Sequence, residues 1–568
     1  MTVRSFARRM RPRVQRKAAE QAWQLRSIRN RRRAAATRQD LRRVLLGGQE
    51  LYGREVTRFA AAEAAAGNLD IVVRALEEAK AAYFLVPGFS KVRHTVGVNV
   101  RDRARFLQAL ERQNSGTAVY IGQPLSGQGL KNPALCLDGR LPAALPKAPV
   151  LRVGEVYLGP ARQVLGGPEL GCDVEFWQDG AELLAGPDGA AELAKVQPQA
   201  SEDVFGRSLV APRRNRVADV LSVDEQKPAA AVIGGRDVPT FEPFTRPTVT
   251  DVDFPVDVVY TWVDGEEPAM RLKRARYKGQ GTAEILDKET NASRYTSHDE
   301  LKYSLRSLEM YAPFVRHVYL VTDGQKPHWL DADAEGITVV DHRDIFPEDV
   351  LPVFNSHAIE TRLHHIPGLS DHYLYFNDDV FVGRPVTPEH FFHGSGVMRV
   401  PVSPLKIGAG KAHAEETATN SASKNVRALL LERFGRLTTN NFMHTPLPQQ
   451  RATLAELEEM FPEDIRRTTA SRFRSPQDIA LTAPLLYQYA LLTGKGIPGK
   501  YNFRYVNISR DDAEKRLVEL QRTRRFSFFC LNDVDVPEEQ REAVNVRMHA
   551  FLENYFPFPS SFEIPADR

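Results

Sequence analysis

The sequence predicts an α/β protein with more than one domain, and three observations carry that reading. The chain has 568 residues, where a single domain usually takes ~100–200. In its second half, β-branched and aromatic runs alternate with stretches of helical periodicity, the pattern of a three-layer architecture with a largely parallel sheet. Before residue 236 the texture differs, with short apolar runs cut by Gly and Pro. Hydrophobic residues at 42% and charged residues at 26% exclude global disorder and a collagen-like fibre. Cys136, Cys172 and Cys530 have no paired spacing, so neither a disulfide scaffold nor a Cys-based zinc site is expected. No apolar run approaches the ~20 residues of a membrane helix, and the start is too polar for a signal peptide. A reducing cytoplasm is the expected compartment.

In chain order, residues 1–50 read as a basic amphipathic arm. Residues 1–43 hold fifteen basic side chains, from Arg4 and Arg8 to Arg42 and Arg43, against Glu20 and Asp40, although the whole chain carries only +4. Trp23, Leu25 and Ile28 lie among the arginines. Such an arm suits a solvated helix, an anionic membrane surface at the inner face of the cell membrane, or nucleic acid. No zinc finger, helix-turn-helix or aromatic RNA-binding signature accompanies it, so no nucleic-acid partner is expected. Residues 51–235 read as a small mixed α/β domain. Helix, turn and helix are predicted over 55–113 from the apolar spacing of Val73–Ala82 and Phe106–Leu110. Strands follow at Ala118–Ile121, Val150–Leu158 and Val174–Trp177. Residues 236–253, rich in Pro and Thr, read as a linker.

Residues 254–565 form the second domain. Strands are predicted at Val256–Trp262, Val315–Val321, Ile337–Asp341 and Tyr373–Phe376. A helix is predicted over Ser297–Tyr311, opened by a capping box of Ser297 and Glu300. Residues 405–424, rich in Gly, Ala, Ser and Thr, read either as a mobile lid or as a plain surface loop. Helices resume at Asn425–Phe434, Leu454–Met460 and Asp478–Leu492, and an α-rich end follows with Asp512–Thr523 and Glu538–Tyr555.

Ligands of parallel sheets bind at the carboxyl ends of strands, and two acidic clusters stand there. Asp378 and Asp379 close one strand, suited either to a hard divalent ion such as Mg²⁺ or Mn²⁺ or to capping a turn. Asp264 closes another, and Gly265 beside it allows backbone to approach a ligand or serves an ordinary turn. Among the many histidines of this half, His444 beside Pro446 and Pro448 is the candidate base. Arg472 and Arg474 are candidates for phosphate in fork geometry, or for a solvated helix start. No Walker loop, Rossmann fingerprint or nucleophile elbow is visible.

Four ordered blocks add a resemblance. They are DVVYTWVDG at Asp257–Gly265; Arg294 onward through Glu300–Leu330, Phe354–Glu360 and Tyr373–Gly383; His444 to about Asp478; and Cys530–Glu563. In them the chain resembles the Stealth family, whose members transfer sugar phosphates in capsular and cell-wall polysaccharide synthesis. The resemblance spans about residues 250–565 and implies a GT-A-like nucleotide-sugar-binding domain. It further implies transfer of a sugar 1-phosphate from a nucleoside-diphosphate sugar to a glycan hydroxyl, with release of a nucleoside monophosphate. By block membership, Asp264, Asp379, Asn532 and Asp533 would hold Mg²⁺ or Mn²⁺, and Asp378 would bind the ion or orient the acceptor. Arg474 would neutralise phosphate and His444 would deprotonate the hydroxyl. Trp262, Asp264, Gly265, Arg294, Gln325, Asn355, His357 and Arg472 would contact the donor. A metal-dependent glycosyltransferase releasing a diphosphate, or a non-catalytic polysaccharide scaffold, are the alternatives.

Overall fold

In the computed structural model the chain divides into two compact units, Met1–Arg246 and Pro247–Arg568. The described residues are 25–565, except 35, 39, 47, 126–128, 140, 143, 197–199, 279–298, 414, 533–535 and 537.

The first unit is mixed α/β. Its helices Ala61–Glu78 and Arg103–Gln113 turn Leu69, Val72, Leu76, Phe106 and Leu110 into one core with Val96, Leu151 and Val174 of the sheet. Each such side chain contributes ~1.5–3 kcal/mol by leaving water. Two paired strands, Tyr83–Leu85 and Thr95–Asn99, lie between the helices, so residues 55–113 are not a bare helical pair. These strands are too short to show a clear alternation in sequence.

Two boundaries move. Residues 25–34 are helical, and Arg31 forks onto the buried Asp138 through two bonds of 2.7 Å. Leu41–Leu46 pairs with Gln49–Glu55, and Leu41 and Leu51 share a buried cluster. The arm is therefore part of the first unit from residue 25 onward, and residues 1–24 lie outside the described residues. The expected linker at 236–253 is partly a strand: Arg236–Phe241 pairs with Pro228–Ile233. The turn between them is Gly234-Gly235 with φ of 57° and 79°, the left-handed pair that a two-residue hairpin requires.

The second unit carries the candidate site. Its elements used below are β1 (Val256–Thr261), α1 (Glu300–Tyr311), β2 (Val315–Thr322), β3 (Ile337–Asp341), α2 (Ser356–Glu360), β4 (His372–Asn377), β5 (Val380–Val382), α3 (Ala418–Phe434), β6 (Leu447–Gln450), β7 (Phe503–Asn507), β8 (Phe528–Asn532) and α4 (Arg541–Tyr555). One sheet runs β3-β2-β1-β4-β6. Its first four strands are parallel and β6 runs antiparallel to β4. The unbroken burial of Val256–Tyr260 is what a central parallel strand covered on both faces demands. From β1 the chain goes outward to β2 and β3, then returns to place β4 on the other flank. That reversal opens a crevice at the carboxyl ends of β1 and β4.

A smaller sheet, β5-β8-β7, joins this end, with Leu531 N–H donating to the Asp379 carbonyl at 3.0 Å. α1 locks the two sheets together. Ser304 Oγ lies 2.7 Å from the Tyr260 hydroxyl and donates to the Val380 carbonyl at 2.6 Å. α1 starts at Glu300 after Asp299 in the left-handed region with φ 59°; the expected cap Ser297 lies outside the described residues.

The expected mobile loop 405–424 contracts. Val402–Lys406 is a strand paired with Asn440–Phe442, and α3 begins at Ala418, capped by Thr417. Lys424 is buried and bonds Glu416 at 2.6 Å. The helix start escapes sequence reading because it packs Ala418, Ser421, Ala422 and Ser423, small residues that show no apolar period.

Candidate active site

After β1, Trp262 N–H still donates to the Val321 carbonyl at 3.0 Å, and the chain then turns at Gly265-Glu266. The Asp264 carboxylate accepts from Glu266 N–H at 2.9 Å. Gln325 clamps this loop. Its side-chain oxygen accepts from Asp264 N–H at 3.2 Å, and its amide donates to the Asp264 carbonyl at 2.8 Å and to the Glu267 carboxylate. Gln325 is buried and itself held by Thr322, so it positions Asp264. Trp262 and Asp264 line a cleft of about 390 Å³ with Glu267, Lys326, His328 and His549.

After β4, the two-residue turn Asp378-Asp379 leads into β5. Asp379 is the centre of a cluster. One carboxylate oxygen lies 3.1 Å from His444 Nε2, and the other accepts from Asn532 Nδ2 at 3.2 Å and from the Cys530 thiol at 3.2 Å. Asn377 Nδ2 stands 3.3 Å from His444 Nε2. The sheet explains the meeting. β6 pairs Leu447 with Tyr375, so the antiparallel chain before it carries His444 past the carboxyl end of β4. Pro448 is tolerated because β6 is an edge strand, where a missing N–H costs no ladder bond. Cys530 and Asn532 are two residues apart on β8 and therefore share its face.

The electrostatics of the pair follow from this contact. Burial pushes the Asp379 carboxyl up, but the His444 charge and the bonds from His444, Cys530 and Asn532 outweigh it and hold the group below the ordinary range. Burial pushes the His444 imidazole down, but Asp379, with a smaller pull from Glu360, raises it above its ordinary value. The His444 side chain keeps 37% exposure and that of Asp379 keeps 16%. Asp378 is half-buried. Its charge adds to burial in pushing up the hydroxyls of Tyr260 and Tyr375.

The other expected residues divide. Arg474 donates to Ser356 Oγ at 2.7 Å, and its charge reaches the Tyr375 hydroxyl, itself 3.1 Å from Thr261 Oγ1. Arg472 donates to the Pro352 carbonyl at 2.9 Å and lies over the Tyr277 ring at 4.5 Å, so it holds a loop. Asn355 and His357 are 0% and 2% exposed, which excludes the expected donor contact in this conformation. Asn355 caps α2 and donates to the Ser471 carbonyl at 3.0 Å and the Asp478 carboxylate at 2.8 Å. Asn355 thereby positions the segment that bears Arg474. Arg294 and Asp533 lie outside the described residues. Three neighbours were not foreseen: Asn377, Glu360 and Cys530. Period-two spacing from Asn532 was the signal for Cys530.

Asp478→Ala should lower stability by ~1–3 kcal/mol, because it removes a buried carboxylate that accepts from the Asn355 amide and from Ser475 N–H, each at 2.8 Å. The denaturant midpoint measures this, and an unchanged midpoint would separate Asp478 from the loop's support.

All four Stealth conserved regions match the chain in order: region 1 at residues 254–282, region 2 at 294–400, region 3 at 443–491 and region 4 at 519–568. An exopolysaccharide phosphotransferase of Streptomyces coelicolor is 41% identical over 87% of this chain and 82% of its own. A second from that organism is 39% identical over 96% and 92%. The exopolysaccharide phosphotransferase CpsY of Mycobacterium tuberculosis is 33% identical over 89% and 90%. A solved galactosyltransferase, LgtC in complex with donor and acceptor sugar analogs, covers 55% of this chain and 98% of its own at 13% identity and TM-score 0.28, too slight a likeness to argue from. Among the described residues no helix is long and apolar enough to cross a membrane. With four conserved regions in order and relatives this similar along most of their length, the chain belongs to the Stealth family of phosphotransferases.

Proposed function

We propose that this chain transfers a sugar 1-phosphate from a nucleoside-diphosphate sugar to a hydroxyl of an acceptor glycan, with release of a nucleoside monophosphate, in building an exopolysaccharide. The observation that carries the reading is the Asp379–His444 contact of 3.1 Å at the carboxyl end of β4. The names of the relatives supply the phosphotransfer.

The acceptor oxygen attacks the sugar-bearing phosphorus. A new O–P bond forms, the bond from that phosphorus to the bridging oxygen breaks, and its electron pair leaves with the monophosphate. The anomeric C–O bond is untouched. His444 donates Nε2–H to Asp379, which leaves Nδ1 to take the hydroxyl proton, and the Asp379 charge steadies the imidazolium that results. Arg474 faces the phosphate, and Trp262 and Asp264 hold the donor in their cleft, with Gly265 at its turn. Such a reaction asks mainly for positioning and neutralised charge.

The cluster fits Mg²⁺ or Mn²⁺ on its oxygen side. Asp379 offers its carboxylate oxygens, and Asn532, whose Nδ2 now donates to one of them at 3.2 Å, would turn its amide oxygen to the ion, giving the few protein oxygens such ions take beside substrate phosphates. Bound there, the ion would neutralise charge on the diphosphate. Asp264 sits on the other strand end with its carboxylate on Glu266 N–H, so we assign it to the donor and assign the ion to Asp379 and Asn532.

The deciding experiment identifies the nucleotide released from a panel of nucleotide sugars. Monophosphate is expected. A diphosphate would mean glycosyl transfer with cleavage at C1, and no turnover with any donor would mean a scaffold.

We also assign residues 1–24 to an anionic membrane surface. They carry seven basic side chains, among them Arg4, Arg16 and Lys17, against Glu20 alone. Each is worth ~1 kcal/mol near an anionic leaflet. Deletion should stop at residue 24, since Arg31 and Leu41 belong to the first unit. The shortened protein is expected to lose salt-sensitive binding to phosphatidylserine vesicles and to keep turnover of a soluble acceptor; equal vesicle binding would return the arm to a solvated segment.

A further inference from the structure

Beyond the start of β4, apart from the Asp379–His444 pair, a second group of metal-ligand side chains converges. β6 pairs Gln450 with His372 at the start of β4, and the helix Arg451–Met460 leaves from there. Arg451 ties its first turn to the segment Leu363–His365, donating to the His364 carbonyl at 2.8 Å and to the Leu369 carbonyl at 3.2 Å. Two turns on, Glu458 presents its carboxylate to that segment. His364 Nε2 and His365 Nε2 both point at the same oxygen, Glu458 Oε2, each at 2.8 Å. The other oxygen, Oε1, accepts from Arg362 at 2.9 Å.

We propose that His364, His365 and Glu458 form a binding site for a divalent transition ion of the zinc class, holding the Leu363–His365 turn to the helix Arg451–Met460. Their ligand atoms all lie within 4.8 Å of one another. Bonds of ~2.0–2.1 Å to a tetrahedral ion set ligand atoms about 3.3 Å apart, so the two Nε2 atoms need move only about half an ångström from Oε2 to admit it. Two imidazoles and one carboxylate, with water in the fourth place, is a donor set for zinc, copper or nickel rather than magnesium. His364 is buried at 2% exposure and fixes the site, while His365 at 37% and Glu458 at 29% leave it open to solvent. Arg362 on Oε1 leaves Oε2 to the ion. The role is that of a clamp, and it stands apart from the phosphotransfer reading.

The test uses the full chain, stripped by chelation and then titrated with Zn²⁺ or Co²⁺ alone. His444→Ala serves as background, because among the described residues Asp379, His444 and Cys530 form a second group able to take such ions. In that background, one ion per chain is expected, with tetrahedral Co²⁺ absorption and a thermal midpoint raised by Zn²⁺. Adding His365→Ala, a change at an exposed ring that spares the Arg362–Glu458 pair, should weaken uptake at least tenfold and abolish the absorption and the thermal shift. Circular dichroism verifies that this variant is folded. If uptake, absorption and thermal shift are the same with and without His365→Ala, or if His444→Ala alone removes all binding, the site does not exist.

Discussion

Asp379→Asn is expected to reduce turnover by about 10⁴-fold, the scale of loss when a histidine base is deprived of the carboxylate that sets its tautomer. One oxygen of Asp379 meets His444 Nε2 at 3.1 Å and the other meets Asn532 at 3.2 Å. An amide in its place turns an N–H toward Nε2, moves the ring proton to Nδ1, and removes the lone pair offered to the acceptor. It also removes the one charge offered to Mg²⁺ or Mn²⁺, so activity regained by adding excess metal should be slight. The fold should stand, because Asp379 lies in a turn whose backbone is held by the Leu531 bond and whose side chain keeps contact with the crevice. Monophosphate release and a thermal melt on the same preparation measure both parts. An unfolded variant would make the acidic turn structural, and a variant with the wild-type rate would remove Asp379 from the chemistry.

Much of the placement of this site is legible in the sequence, and the reason is geometric. Strands that end on Asp264 and on Asp378-Asp379 had to place those carboxylates at the carboxyl edge of a parallel sheet, and the pairing of β1 with β4 through Thr261 and Asn377 does so. Ile337–Asp341 could be bounded to the residue, because a short β-branched run between polar neighbours has little freedom in register. What escaped reading depends on contacts distant in sequence. Asn355 and His357 stand within a block suggestive of ligand contact, yet both are buried, and the Asn355 amide bonds Asp478, more than a hundred residues away. Neither local spacing nor composition signals that such a polar group is buried by support duty. In sequence Cys530 is one of three thiols without paired spacing, and the β5–β8 pairing, Val380 opposite Cys530, brings it to Asp379. The edges of the first unit failed for another reason: Gly234-Gly235 marks a hairpin, but the Pro and Thr around it dominate the local texture.

His444→Ala is expected to lower turnover by ~10²–10⁴-fold, the usual worth of general-base help, with donor affinity largely kept because the Trp262 and Asp264 cleft is untouched. The pH dependence gives the assignment its sharper test. An imidazole accepts a proton only when neutral, and Asp379 raises this one above its ordinary value. The rate should therefore fall as pH drops through a value above ~6.5, and this acidic limb should be absent in His444→Ala. In Asp379→Asn burial is opposed only by the smaller pull of Glu360, so the limb of the residual activity should move to lower pH. A ring that merely packs against the turn would move neither limb. The competing base is Asp378, in the same turn and near the Tyr260 and Tyr375 hydroxyls. Turnover and donor binding across pH for His444→Ala and Asp378→Asn decide between them. If His444→Ala retains the wild-type rate and acidic limb while Asp378→Asn binds donor without turnover, the base is Asp378 and the Asp379–His444 contact serves only to shape the crevice.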